Sequence, residues 1–499
     1  MAPRIHRPAP PSPTKRRRAA RRPARGPAAL PPSQRAAAIR ESVRRGRVED
    51  LTPLLVALSD PVAGIRQTAA IALGLLADPR AATTLAAALQ DPDPAVRASV
   101  AEALGPSGRP DTRSALEAVL NDPDADVRRK AADALATAAD PRCVAALAPV
   151  RSDPVAEVRL AVARTLGRVG TPEAHLALEG LLHDPSDRVR REAVLGLGHA
   201  GRPEVLALVR SMLDDPARRV RAAAAVISGR LRDREALPRL LEILAQKETW
   251  EKPSVLVALG RIGDVRAVPA LVVASESPQH WLRVCAVHAL GELGGEEARS
   301  VARRGLRDSA WPVRGAAAIA LGTVGAPDDL TRLLDLLEDV HPWPRRGATY
   351  ALGHLGVAAA APRIREELAD PAPEVRLAAV WALGRLGDDG AREELVRLLR
   401  GGPPLENAPA LGEEETVRSD AESRLFDAIV QALGRLPHGA DDPIVQSALL
   451  AARARLPDEE LDRLARLPLP EMVEDRPGPT LRTLFETAIV TSFDDEGPG

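Results

Sequence analysis

The sequence predicts an all-α fold, an α-solenoid of stacked helical hairpins, and three observations carry that prediction. The first is a fixed period. A basic residue recurs every 31 positions, through Arg66, Arg97, Arg128, Arg159, Arg190, Arg221, Lys252, Arg283, Arg314, Arg345 and Arg376, with a glycine eight residues after each except at Ala136. The second is apolar spacing inside each period, where Ile65, Ala69, Ala72, Leu73 and Leu76 recur at helical intervals. The third is composition. Aromatics make up 2% of the 499 residues, and a chain dominated by Ala, Leu, Val and Arg suits closely packed helices better than a β-sandwich core. A period of this length marks a repeat array, in which each hairpin buries its apolar face only by stacking on its neighbours.

Each element of the repeat has a local cause. Asp60-Pro61 is expected to open the second helix of the first hairpin, Asp by capping free N–H groups and Pro by lacking an N–H in the first turn. Gly74 and the Gly/Asp/Pro residues after it are expected to end that helix. A further helix near Thr83–Leu89 then leads to the next Asp-Pro.

The phrases DPVAGIRQTAAIALG, DPDPAVRASVAEALG and DPAPEVRLAAVWALG resemble the HEAT-repeat superfamily, specifically the short HEAT-like repeats of the phycobilisome-lyase type. The resemblance covers residues 50–399. It implies a right-handed α-α superhelix of about 11 HEAT-like hairpins with capping helices. It also implies an inter-repeat ladder made by each Asp and the Arg six residues later: Asp60/Arg66, Asp91/Arg97, Asp122/Arg128, Asp153/Arg159, Asp184/Arg190, Asp215/Arg221, Asp308/Arg314, Asp339/Arg345 and Asp370/Arg376. These charges are read as structural rather than as an anion-binding patch.

The expected organisation is a basic Pro/Arg/Ala-rich arm at 1–32, a solenoid at 33–399 and a loop insertion at 400–424. A capping repeat with helices at 425–467 and a tail at 468–499 complete it. Residues 1–40 hold eleven Arg and Lys and no acid, leaving 57 basic against 69 acidic residues in the remainder. A basic arm therefore precedes an acidic body. The arm buries almost nothing and is expected to be disordered. Its cluster at residues 15–25 could meet nucleic acid, an anionic membrane or an acidic protein electrostatically, but the leading expectation is a solvated tail that includes a misplaced start. Residues 33–58 read as an N-terminal capping hairpin. Past Gly384 the next equivalent glycine is Gly434, which places about 19 extra residues in the insertion, and Phe426 stands in the Arg column there. In the tail, Leu481, Leu484, Phe485 and Phe493 share a helical face ahead of an acidic run. This is either a segment folded back on the array or a docking peptide. Two distant cysteines, Cys143 and Cys285, make no disulfide framework. No apolar run is long enough to cross a membrane, and the expected location is cytoplasmic. The excess of Arg over Lys, with much Ala, Pro and Gly, is the composition a GC-rich bacterial genome produces.

The enzyme readings are weighed residue by residue. A deoxyhypusine-hydroxylase-like di-iron site would need His in the column after the ladder residue. That column reads Gln67, Ala98, Arg129, Leu160, Arg191, Ala222, Pro253, Val284, Gly315, Arg346, Leu377, so such a site is not expected. Cys285, His288 and Glu292 share one helix face but supply too few ligands for closed zinc, and the thiol reads as a small surface residue. No phosphate loop or nucleophile motif appears, and no cofactor is expected.

Repeats 7 to 10 lose the Asp-Pro consensus, and each gains a tryptophan at its inter-helix turn: Trp250, Trp281, Trp311 and Trp343. Helical geometry aligns these with residues five and nine after the ladder position. The resulting strip reads Trp250/Val257/Arg261, Trp281/His288/Glu292, Ile319, Trp343/Tyr350/His354 and Trp381/Arg385. The resemblance places it on the concave side. The leading expectation is a non-enzymatic scaffold that binds a partner polypeptide in the groove of repeats 7–11, the alternative being that the tryptophans plug gaps left by the lost turns. Other functional readings stay open: a phycobilin-lyase-like enzyme subunit holding a ligand in the same groove, and a nucleic-acid-associated protein acting through the arm.

Overall fold

The computed structural model describes residues 31–44, 50–105, 110–199, 203–246 and 251–399, with seven further residues between 428 and 443. Nearly all of the arm, the 400–424 insertion, the 468–499 tail and most of the capping segment lie outside the described residues. The described residues form 24 α-helices joined by turns and short 3-10 segments, with no strand among them. The chain is an all-α solenoid. It divides into two compact units, residues 1–200 and 201–499.

Unit 1 carries the second helices of repeats 1 to 5: Ala63–Leu76, Pro94–Leu104, Ala125–Ala138, Ala156–Val169 and Asp187–His199. Unit 2 carries those of repeats 6 to 11: Arg218–Arg230, Lys252–Ile262, His280–Leu293, Trp311–Val324, Pro342–Leu355 and Pro373–Leu386. Within each unit these helices pack side by side, and the shorter first helices cover their other flank.

Repeat 4 shows the local logic. Asp153 and Pro154 lie in the turn, and Asp153 Oδ1 accepts the N–H of Val155 at 2.9 Å, so the helix starts only at Ala156. The same holds in repeat 1, where Asp60 takes the Val62 N–H and the helix begins at Ala63. Asp-Pro therefore forms a side-chain-closed turn before the helix instead of opening it. Val158, Ala161, Val162 and Leu166 are then buried, a leucine so covered contributing about 1.5–3 kcal/mol. The helix stops at Gly170, whose left-handed backbone (φ 63°) lets its N–H reach the Leu166 carbonyl at 3.0 Å.

The glycine column has a different task from the one expected. Gly74 does not end its helix, which runs on to Leu76 and is closed by left-handed Ala77. The column instead marks where neighbouring second helices touch. A Cβ on Gly167 would lie 2.6 Å from the Gly196 Cα, closer than atoms can approach, so only hydrogen fits. Each contact joins a glycine to a small residue 29 positions ahead. Gly384 keeps the contact but meets Ala432, 48 positions ahead, at 2.7 Å from Cβ to Cα.

The ladder is also wired differently. Arg159 donates from Nη1 to the Asp153 carbonyl six residues back (2.7 Å). Its Nε and Nη2 meet both oxygens of Asp184, in the next repeat, at 2.6 and 2.8 Å. The Asp-to-Arg spacing of six thus reports a backbone contact, and the carboxylate comes from 25 residues ahead. The same double link recurs at Arg66–Asp91, Arg97–Asp122 and Arg128–Asp153. In unit 2 it holds at Arg283–Asp308, Arg314–Asp339 and Arg345–Asp370. Arg190, Arg221 and Arg376 keep the carbonyl contact to Asp184, Asp215 and Asp370. Arg221 turns its Nε to Glu251 at 2.7 Å. At the other end Arg35, one period before Arg66, pairs with Asp60 at 2.8 Å, so helix Pro32–Arg44 stacks as one more second helix.

A candidate partner-binding surface

The strip predicted from the sequence lies entirely in unit 2, and the structure divides it. Trp250 lies outside the described residues. Trp281, Trp311 and Trp343 sit in the first turn of their helices, not in the turns before them. Trp281 and Trp311 are exposed, at 50% and 42%. Val257 and Ile319, expected on the surface, are 9% and 8% exposed. Their position lies beside the contact between stacked helices, and a short aliphatic side chain there does not reach past it. Arg261 and His288 are half-buried, and Glu292 is exposed. Cys285 is buried as well, not a surface thiol, and desolvation pushes it up to about 12. Its side chain and those of His288 and Glu292 therefore do not form one open face.

Repeats 9 to 11 bring the remaining rings together. Trp343 lies against the second helix of repeat 9, where a Cβ on Gly315 would fall inside the indole. The missing side chain in one repeat seats the large one in the next. Tyr350 and Trp381 meet edge to face with centroids 5.2 Å apart, and His354 lies 4.9 Å from Trp381. The Arg346 guanidinium sits 5.2 Å from the Trp343 ring centre and 5.5 Å from that of Tyr350. Arg385 lies 5.6 Å from Trp381. Partial desolvation, aided by the Arg385 charge, lowers the His354 pKa and favours its neutral form, although the side chain remains exposed. Trp311 stacks flat on His341 at 3.7 Å, and His341 Nδ1 accepts the Trp343 N–H at 3.2 Å. Trp281 meets His280 edge-on at 5.4 Å.

Arg346 was missing from the strip read in the sequence. Its signal was there: it follows Trp343 by three and precedes Tyr350 by four, the spacing that shares a helix face. Among the described residues neither Arg346 nor Arg385 forms an ion pair, and Glu292 and Glu374 are the acids on the strip. No three His, Cys, Asp or Glu side chains among the described residues come together as metal ligands do. No helix among them is long and apolar enough to cross a membrane.

Comparison with known proteins places this geometry in a family. The family model for HEAT repeats matches residues 51–124, 113–187, 176–255, 254–322, 273–353 and 330–408. No curated protein matches in sequence. Among solved structures, importin β is similar at 14% identity and a TM-score of 0.54, over 89% of this chain and 72% of its own. The Escherichia coli protein YibA is similar at 20% identity and 0.40, over 53% and 98%. The complex of CpcE and CpcF of phycocyanin lyase from Nostoc sp. PCC7120 is similar at 22% and 0.26, over 52% and 94%. The importin β likeness is one of fold. With the family model covering well over half of its length, the chain belongs to the HEAT-repeat family.

Proposed function

We propose that the chain is a non-enzymatic scaffold that binds a partner polypeptide on the second-helix face of repeats 8 to 11. Stacked repeats present extended surfaces that suit such binding. The observation that carries the reading is the exposure of Trp281 and Trp311 on the same run of repeats as the Trp343–Arg346–Tyr350–Trp381–Arg385 cluster. Trp, Tyr and Arg are the residue types that dominate interface energetics. An indole left half in water gains little from folding and much from a partner that covers it.

Trp281→Ala tests this reading. A half-exposed ring buries little within the chain, so the melting temperature should hold. Affinity for a partner captured from the native host should fall about thirtyfold, the effect of losing about 2 kcal/mol. Early melting with unchanged affinity would show that the indole fills a structural gap instead.

A further inference from the structure

The face of repeats 10 and 11 joins aromatic rings to cations that lie against those rings, Arg346 by Trp343 and Tyr350 and Arg385 by Trp381. On the equivalent face of repeat 4 an arginine meets an acid instead, Arg164 pairing with Asp133 at 2.8 Å. A complementary segment would carry apolar side chains at helical spacing next to a run of carboxylates. Such a segment is encoded in this chain. Residues 468–499 hold seven acids against two bases, with Leu481, Leu484, Phe485 and Ala488 at i, i+3, i+4 and i+7 and Asp494-Asp495-Glu496 just beyond. The tether fits as well. Ala432 lies against Gly384, one residue from Arg385, so the chain departs beside the face. Between residue 443 and Leu481 lie 38 residue steps, able to span more than about 100 Å when extended, against roughly 10 Å between stacked helices.

We propose that residues 480–496 dock in cis on the aromatic–arginine face of repeats 10 and 11. Their leucines and phenylalanine lie against the Trp343, Tyr350 and Trp381 rings, and the acidic run faces Arg346 and Arg385. Tethering supplies a millimolar effective concentration, so modest contacts hold the segment until a stronger partner displaces it. Only this last step rests on the partner-binding reading.

Hydrogen exchange on the full chain tests the docking. Amides of residues 481–493 should exchange at least about tenfold more slowly in the parent than in Leu484→Asp/Phe485→Asp, which leaves the hairpins untouched. The reversal Arg346→Glu/Arg385→Glu should abolish that protection at an unchanged melting temperature. Adding Asp494→Arg, Asp495→Arg and Glu496→Arg should restore it. Equal exchange in parent and Leu484→Asp/Phe485→Asp overturns the docking. Protection that survives the arginine reversal overturns this location, and protection that rises with protein concentration overturns docking in cis. Partner affinity separates the two readings. If the segment does not dock while Trp281→Ala still weakens the partner, docking alone fails. If it docks and Trp281→Ala has no effect on the partner, the partner reading fails and docking stands.

Discussion

Repeats 2 to 5 and repeats 8 to 11 use the same helix and the same stacking contact, yet dress the equivalent face in opposite ways. In the first group the face carries ions that pair across repeats: Lys130 with Glu102 at 2.6 Å, Arg164 with Asp133 at 2.8 Å, and Arg188 with Glu157 at 3.5 Å. Charges paired in this way offer a partner little. In the second group rings replace ions, and Arg346 and Arg385 lie by aromatic faces instead of carboxylates. The ladder runs along the turn edge of both groups, while the edge that carries rings in one carries salt bridges in the other.

The largest expected effect concerns what the two groups share. Arg159 and Asp184 are 10% and 4% exposed at their side chains. Asp184→Asn would leave a guanidinium without its charge partner, at a cost of about 3–5 kcal/mol, read as an early melting transition. Burial alone would raise the Asp184 carboxyl, but the hydrogen bonds from Arg159 and the Ser186 N–H and the Arg159 and Arg190 charges outweigh it and lower the pKa. Asp91, Asp122, Asp153, Asp308 and Asp339 are lowered in the same way. A depressed acid gives stability that is present above its unfolded value, near 4, and lost as pH falls through its folded value. Acid titration of either group should therefore lower stability below about pH 4, and the Asn variant should show a shallower fall.

The next effect separates the groups. Glu367, in unit 2, is buried beside Asp370 and Arg345, and desolvation followed by the Asp370 charge and hydrogen bond pushes it up to about 7. A raised acid stabilises fully below its unfolded value, about 4.3, and that stability is lost as pH rises through the folded one. Unit 2 should weaken by up to about 1.4 kcal/mol per pH unit across this window. Glu367→Gln should flatten that slope. A slope unchanged in the Gln variant would assign it to another group.

A smaller effect, about 1–3 kcal/mol of overpacking, is expected for Gly315→Ala, because its Cβ must displace the Trp343 indole. Combined with Trp343→Ala the loss should be less than additive, since the clash then disappears. Additive losses would mean that the glycine serves only the approach of Gly347 to the Gly315 carbonyl. This pair also shows how far the sequence could be read. The period, the helices and the run of tryptophans were legible because each repeats along the chain or stands out by residue type. What each glycine and aspartate does was not, since both act on a neighbour 25 to 29 residues away and a column shows only that a position is constrained. Burial of Val257 and Ile319 was hidden for the same reason: a helical wheel has no neighbours. Arg346 was legible by its spacing, whereas its position between two rings required the stacked helices.

The smallest effect tests whether the contrast between the two faces is real. Glu102 pairs with Lys130 at 2.6 Å, but its side chain is 62% exposed, and a pair so open to water gains little against screening and the entropy of holding two flexible chains together. Glu102→Ala should change stability by no more than about 0.5 kcal/mol, and raising the salt concentration should erase even that difference. Partner affinity should not move at all, because the proposed contact surface lies on repeats 8 to 11. A several-fold loss of affinity in Glu102→Ala, with melting unchanged, would mean that the ion-paired face also meets the partner. The salt bridges of repeats 2 to 5 would then be broken on binding instead of standing apart from it.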